Sequence, residues 1–275
     1  MSKTWFITGT SSGFGRILTE LALDRGDRVL ATLRRTGALN DLLDRHGDRL
    51  SVTTLDLTDS DAIAPTVDQA FERMGPIDVV VNNAGYGLFG AAEELSEAQI
   101  RHQIETNLIG SIEVIRAALP HLRAQKGGRV LQVSSEGGQI SYPNFSLYHA
   151  TKWGIEGFVE SVAQEVAPFG IQFTLVEPGP TATNFAAGLV SAPATDAYAD
   201  TPSGEIRRAL QTGAFRATGD ARKMSHAILA SLDQNPAPRR LTLGNTAYTS
   251  IHAALNERLA ALEAQRDIAL STDID

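Results

Sequence analysis

Short apolar runs, each followed by a helical stretch, recur along this chain at residues 4–8, 28–33, 50–55, 77–82, 128–134, 171–176 and 240–243. The runs carry Val, Ile and Leu at successive positions instead of alternating them with polar residues, which is the pattern of strands covered by helices on both faces. Helical patterns lie between and after them at 14–25, 39–46, 59–74, 96–122, 146–167 and 219–234, with a last amphipathic stretch near 247–262. This rhythm predicts a Rossmann-type, doubly wound α/β fold whose seven-stranded parallel sheet has helices on both sides. Ser96-Glu-Ala-Gln99 has the spacing of a capping box, opening one long helix over 96–122. At 275 residues and 29.4 kDa the chain suits a single domain spanning 1–275.

Two segments break the rhythm. Residues 181–217, rich in Ala, Gly, Thr and Pro, follow the sixth run and read as a mobile substrate lid. A helical extension at about 247–265 carries Ile251, Leu255, Leu259 and Leu262 at helical spacing, a stripe expected to pack on the core or else to modify assembly, with core packing preferred.

Charge and composition narrow the function classes. With 24 basic against 32 acidic residues the formal charge is −8, which argues against nucleic-acid partners and against an anionic membrane surface. There is no cysteine, so disulfides, thiolate catalysis and Cys-ligated zinc are excluded, and the six histidines form no ligand cluster, so no metal is expected. No apolar run approaches the roughly 18 residues of a membrane span, and Met1 leads directly into the first strand; the expectation is a cytoplasmic protein.

Tyr148 and Lys152 lie four residues apart in a helical stretch, a spacing that turns the two side chains toward each other. An ammonium beside a phenol favours the phenolate and draws its pKa down from about 10, making a proton-exchanging group, and the Ser135 hydroxyl could fix a substrate oxygen beside it. At the other end of the chain, Thr8-Gly9-Thr10-Ser11-Ser12-Gly13-Phe14-Gly15 follows the first strand and opens the first helix. Its backbone amides, with Ser11 and Ser12, suit a phosphate. The second strand ends at Leu33-Arg34-Arg35, with no carboxylate where NAD would place its ribose 2′-hydroxyl; Arg34 suits a 2′-phosphate, so NADP(H) is favoured. Asp56 could accept from an adenine amino group while Leu57 covers the ring. Asn82-Asn83-Ala84-Gly85 could tie strand ends together and let a nucleotide approach the backbone.

Taken in order, Thr8–Gly15, Asp56, Asn82–Gly85, Asn107, Ser135, Tyr148–Lys152 and Pro178-Gly179-Pro180-Thr181-Ala182-Thr183 closely resemble the motifs of the short-chain dehydrogenase/reductase family, in its compact single-domain branch. The likeness spans roughly residues 3–243, and its wording is most similar to members near the hydroxysteroid and retinol dehydrogenases and their bacterial relatives. It implies that Tyr148 is the general acid in carbonyl reduction and the base in alcohol oxidation, that Lys152 lowers its pKa and holds the nicotinamide ribose, and that Ser135, with Ser134 as rival, orients the substrate oxygen. It also implies a helix kink at Asn107 with a proton-passing water, and cofactor contacts from Pro178, Gly179 and either Thr181 or Thr183. Tyr86, Phe89, Gln139, Tyr142, Phe145 and Phe185 are candidate walls for a small apolar carbonyl or alcohol substrate. Family likeness further implies a homodimer or homotetramer paired through the helices at 96–122 and 146–167. The rival readings are a non-catalytic NADP(H) sensor or scaffold on the same fold and a nucleotide-sugar epimerase or dehydratase.

Overall fold

The computed structural model describes residues 2–214 and 216–274; Met1, Asp275 and Phe215, the last within the expected lid range, lie outside the described residues. The first half runs β1 (Thr4–Ile7), α1 (Gly13–Asp24), β2 (Arg28–Leu33), α2 (Asn40–His46), β3 (Leu50–Thr54), α3 (Ser60–Met74) and β4 (Val79–Asn82). A two-residue strand, β5 (Leu88–Phe89), then precedes α4 (Glu97–Ile104), α5 (Gly110–Ala124), β6 (Gly128–Val133), α6 (Ser146–Val166) and β7 (Ile171–Pro178). The remainder comprises β8 (Val190–Ser191), α7 (Pro202–Gln211), α8 (Ala221–Ser231), β9 (Arg240–Leu243), α9 (Asn245–Glu263) and α10 (Arg266–Leu270).

Seven strands form one parallel sheet in the order β3-β2-β1-β4-β6-β7-β9. The doubly wound expectation is met, and burial explains it. Leu18, Leu42 and Ile228 bury α1, α2 and α8 on one face, while Val67, Ile115 and Val159 bury α3, α5 and α6 on the other. Chain order reverses between β1 and β4, so their C-terminal ends open a crevice where α/β sheets of this kind bind ligands. Local signals fix the helix starts: Asp59 accepts from the Ala62 amide at α3, Asp220 accepts from Arg222 and Lys223 at α8, and Ser96 and Gln99 form the expected capping box at α4.

Two expectations need correction, those for the 96–122 helix and for the C-terminal stripe. The stretch at 96–122 is not one regular helix, because a π-helical turn over Glu105–Ile109 separates α4 from α5 and puts the kink at Asn107. The expected lid range carries regular elements of its own: β8 pairs with β5, Ile206 and Leu210 of α7 pack on the aromatic cluster of Phe89, Phe145 and Tyr148, and Thr181 bridges Gly219 at its base. In the C-terminal stripe only Ile251 reaches the core. Leu255, Leu259 and Leu262 are about half or more exposed, because α9 runs off the end of β9 beyond the reach of the sheet.

Candidate active site

The crevice begins with glycines whose conformations no other residue holds cheaply. Gly9 has φ +70°, and a methyl there would lie 2.6 Å from the Ala84 Cα; at Gly15 a methyl would lie 2.6 Å from the Asn83 side-chain nitrogen. These close approaches clamp the β1 turn against the end of β4. Asn83 donates from Nδ2 to the Thr8 carbonyl at 2.9 Å and the Gly9 carbonyl at 3.1 Å, and the Thr8 hydroxyl accepts from the amides of Asn83 and Ala84. Asn82 points the other way, to Gln132 and the Ser111 carbonyl. Ser11 is exposed, and Ser12 starts α1 without a side-chain cap; Phe14 packs partly on the core and no acid occupies the first turn. The amides of that turn therefore face the crevice with no protein anion against them, which fits a phosphate.

Arg34 is exposed at the end of β2, and no ion pair is assigned to it among the described residues. An acid is nevertheless close: the Arg34 charge helps hold Asp56 below the usual carboxylate range, although the Thr58 amide does more, donating to Asp56 Oδ1 at 3.0 Å. Leu57 is buried against α5 and so offers no exposed side chain to cover a ring. Gly85, at the exposed lip of the crevice, passes close to the Asn107 side chain. On the facing wall Gly179 lacks a side chain beside Ala247, just after Pro178 ends β7. The Thr181 hydroxyl is spent on the Gly179 carbonyl at 2.7 Å, whereas Thr183 stands across the crevice, 3.8 Å from where a methyl on Gly13 would be. Of the two threonines, Thr183 is the one that faces the glycine turn.

The remaining candidates converge at the mouth of β6. Tyr148 and Lys152 are buried one turn apart on α6, with the Lys152 ammonium 5.5 Å from the phenol ring centre and donating to the Val133 carbonyl at 3.0 Å. Burial is the dominant influence here. It pushes the Tyr148 phenol up to about 12, against an opposing hydrogen-bonding contribution from Ser135 and with help from the charges of Glu136 and Glu156. Burial likewise lowers the Lys152 ammonium to about 8, opposed by Glu156. Burial thus sets the direction at both groups, up at the phenol and down at the ammonium. Ser135 Oγ accepts from the Gly137 amide at 3.1 Å and lies on the Tyr148 side, while Ser134 donates to Glu156 at 2.5 Å and turns away. Asn107 accepts from the Tyr86 amide at 3.0 Å and donates to the Tyr86 carbonyl at 2.8 Å, so its side chain fixes the loop after β4.

Aromatic rings surround the phenol. Phe89, Phe145 and Tyr142 pack with it, and Phe185 approaches to 5.6 Å between ring centres from the lid. Gly87 makes room for that closure, since a methyl there would lie 2.8 Å from Phe185. Tyr86 instead edges onto His102, and Gln139 is no wall at all: it donates to buried Glu177 at 2.8 Å. The sequence reading missed Leu189, Ile206 and Leu210, the lid residues packed on this cluster, although Ile206 and Leu210 stand at i, i+4 on α7. It also missed the latch that holds them, in which buried Glu94 accepts from Arg207 and from the Thr195 amide.

The fold and its crevice define a nucleotide-binding oxidoreductase architecture, with a buried tyrosine–lysine pair near the ends of the central strands. The chain belongs to the short-chain dehydrogenase/reductase family: the family described as short chain dehydrogenase matches residues 3–194. It is 36% identical over 273 residues to the oxidoreductase BOA17 of Botryotinia fuckeliana, covering 99% of this chain and 100% of that one. A short-chain dehydrogenase structure from Streptomyces avermitilis superposes with a TM-score of 0.91 at 39% identity, covering 99% and 98% of the two chains. A serine dehydrogenase complexed with NADP+ aligns at a TM-score of 0.74 and 26% identity, over 87% of this chain and 94% of that one. No helix among the described residues is long and apolar enough to cross a membrane, and no group of side chains among them is arranged to hold a metal ion.

Proposed function

We propose that this oxidoreductase is NADP(H)-dependent and interconverts an apolar carbonyl and a secondary alcohol, with Tyr148 as general acid and base. The observation that carries this reading is the buried Tyr148 phenol, ringed by Phe89, Phe145, Phe185 and lid leucines, with Lys152 one turn behind it. The glycine cradle, with its narrow approaches at Gly9 and Gly15 and the uncapped amides of α1, fits a dinucleotide pyrophosphate. When bound, the nicotinamide supplies or accepts the hydride.

The protein's own part is the proton and the geometry. With its pKa pushed up, Tyr148 is neutral throughout the physiological range, the form that donates to a developing alkoxide. Lys152, charged below about pH 8, then stabilises the phenolate that remains and holds the ribose. Ser135 donates to the same substrate oxygen, and Asn107 keeps the Tyr86 backbone in place beside the crevice. Ser11, Ser12, Gly13 and Phe14 border the phosphates, Asp56 the adenine end, Asn83, Ala84 and Gly85 the central ribose, and Thr183 the nicotinamide end. The apolar rings and the latched lid exclude water from the reacting oxygen.

An NADPH-oxidation screen across chemically diverse ketones and aldehydes tests the reading. Turnover confined to apolar carbonyls supports it, and no turnover with any of them removes it. Arg34 makes a separate expectation. If its guanidinium takes the 2′-phosphate, Arg34→Ser loses one charge-assisted contact, lowering kcat/KM for NADPH by about 10- to 100-fold while sparing NADH. Equal losses with both cofactors would remove Arg34 from that role. A cytoplasmic homodimer or homotetramer belongs to the same reading; light scattering is then expected to give two or four times 29.4 kDa.

A further inference from the structure

Behind the catalytic residues lies a buried cluster that the chemistry above does not use. Glu136, Glu156 and Glu177 are each less than 5% exposed, yet they come from three separate segments: the turn after Ser135, helix α6 and the end of β7. Arg240 on β9 bonds both Glu156 and Glu177, and also the more exposed Glu160. Ser134 donates to Glu156 at 2.5 Å, Gln139 and Thr242 donate to Glu177, and Ser250 on α9 donates to Glu136 at 3.1 Å.

We propose that Glu156 is a positioning residue for Lys152: fixed between the Ser134 hydroxyl and the Arg240 guanidinium, its carboxylate sits one helical turn from the buried ammonium and keeps that ammonium charged. The two residues are i and i+4 on α6, both buried, and therefore share one face. Gly138 shows that the carboxylate's place is built. A methyl on Gly138 would lie 2.8 Å from Ser134 Oγ and still closer to Glu156, so the glycine leaves the space the acid occupies. The Glu136-Gly137-Gly138 sequence after the catalytic serine thereby acquires a reason.

The surrounding charges decide the sign. Facing Lys152 and Glu156 are Tyr148, His149 and Glu160 on α6 itself, Ser134 and Glu136 from the β6 end, Glu177 from β7 and Arg240 from β9. The other segments packed on α6, namely α4, the π-helical turn and α5, bring neutral Asn107 and the more exposed Arg101, His102, Glu105 and Glu113. Among these groups Glu156 is the charge that opposes burial at Lys152; burial raises the Glu156 carboxyl above its ordinary range, with Glu177 adding to the rise and Ser134 and Arg240 opposing it. Removing the carboxylate leaves the ammonium desolvated with no opposing charge, and its proton is lost at lower pH.

The inference rests on the acid–base role proposed for Tyr148 and Lys152, but its test does not require turnover. The chain has four lysines, Lys3, Lys126, Lys152 and Lys223, so the Lys152 ε-carbon signal in carbon-13-labelled, cofactor-free protein is identified by its loss in Lys152→Arg. Its titration midpoint is expected to fall by about one pH unit in Glu156→Gln, which keeps the side chain's shape. Gly138→Ala, which displaces the carboxylate, is expected to lower it in the same direction, and Ser134→Ala to lower it less. The alkaline limb of the kcat/KM profile should move by the same amount as the Lys152 midpoint. An unchanged midpoint in Glu156→Gln overturns the proposal; if that variant fails to fold, an unchanged midpoint in Ser134→Ala and Gly138→Ala does so. Absence of NADPH turnover in the unaltered protein would instead remove the activity reading, with the Lys152 titration still deciding this one.

Discussion

Tyr148→Phe is expected to lower turnover by about a thousandfold while leaving NADPH affinity within a factor of two or three, because general acid catalysis by a positioned group contributes about 10²- to 10⁴-fold. The substitution removes one oxygen from a side chain that is 6% exposed and packed among Phe89, Phe145 and Tyr142. The ring's shape and contacts survive, so the fold and the dinucleotide crevice are untouched. What disappears is the phenol hydroxyl beside Lys152, and with it the proton proposed for the developing alkoxide. Single-turnover kinetics with saturating NADPH separate this loss from binding, and fluorescence titration reports the affinity directly. Retention of even a tenth of the activity would sink the assignment of the acid to Tyr148. A parallel loss of NADPH affinity would mean that the phenol acts chiefly by holding the cofactor.

The parts of this arrangement that the sequence discloses are those set by local chain geometry. Gly9, Gly13 and Gly15 are demanded by a turn that approaches Ala84 and Asn83, and such demands leave a residue signature at fixed spacing. The seven strands announce themselves because burial on both faces requires unbroken apolar runs. Features that depend on meeting partners far along the chain do not announce themselves. The π-helical turn at Glu105–Ile109, where a kink at Asn107 is expected from the family likeness, is a slip in backbone hydrogen-bond register whose extent the helical pattern does not show. Gln139 looks like a cleft residue beside Ser135, but its partner is Glu177, 38 positions on. Glu94 and Arg207, 113 positions apart, meet across the fold, close to where β5 and β8 pair. The direction of the Tyr148 shift is hidden from the sequence for the same reason. A helical spacing tells which charges are close but not how deeply both are buried, and here burial dominates.

Lys152→Met should separate stability from function in opposite directions. The ammonium is buried and lowered from 10.5 to about 8, so the folded chain holds at neutral pH a charge that its surroundings disfavour. Between about pH 8 and 10.5 the unfolded chain still binds that proton and the folded chain has released it, so this residue's contribution to stability rises with pH across that window. The corresponding penalty at pH 7 is on the order of 3 kcal/mol. Methionine fills nearly the same volume without it, but leaves the Val133 carbonyl, now bonded at 3.0 Å, without its donor. That orphaned carbonyl costs about 1–3 kcal/mol, so Tm at pH 7 is expected to be unchanged or modestly higher in the variant. Activity follows the opposite course. Without the ammonium there is no charge to stabilise the phenolate left on Tyr148 and no donor for the ribose, so turnover is expected to fall at least about a hundredfold and NADPH affinity to fall with it. Calorimetry at pH 7 and pH 10 distinguishes the causes: the difference in stability between the variant and the unaltered protein should favour the variant at pH 7 and shrink by pH 10. If the difference instead stays constant across that range, Lys152 is not carrying a buried charge. The role assigned to it beside Tyr148 then fails, whatever the activity of the variant.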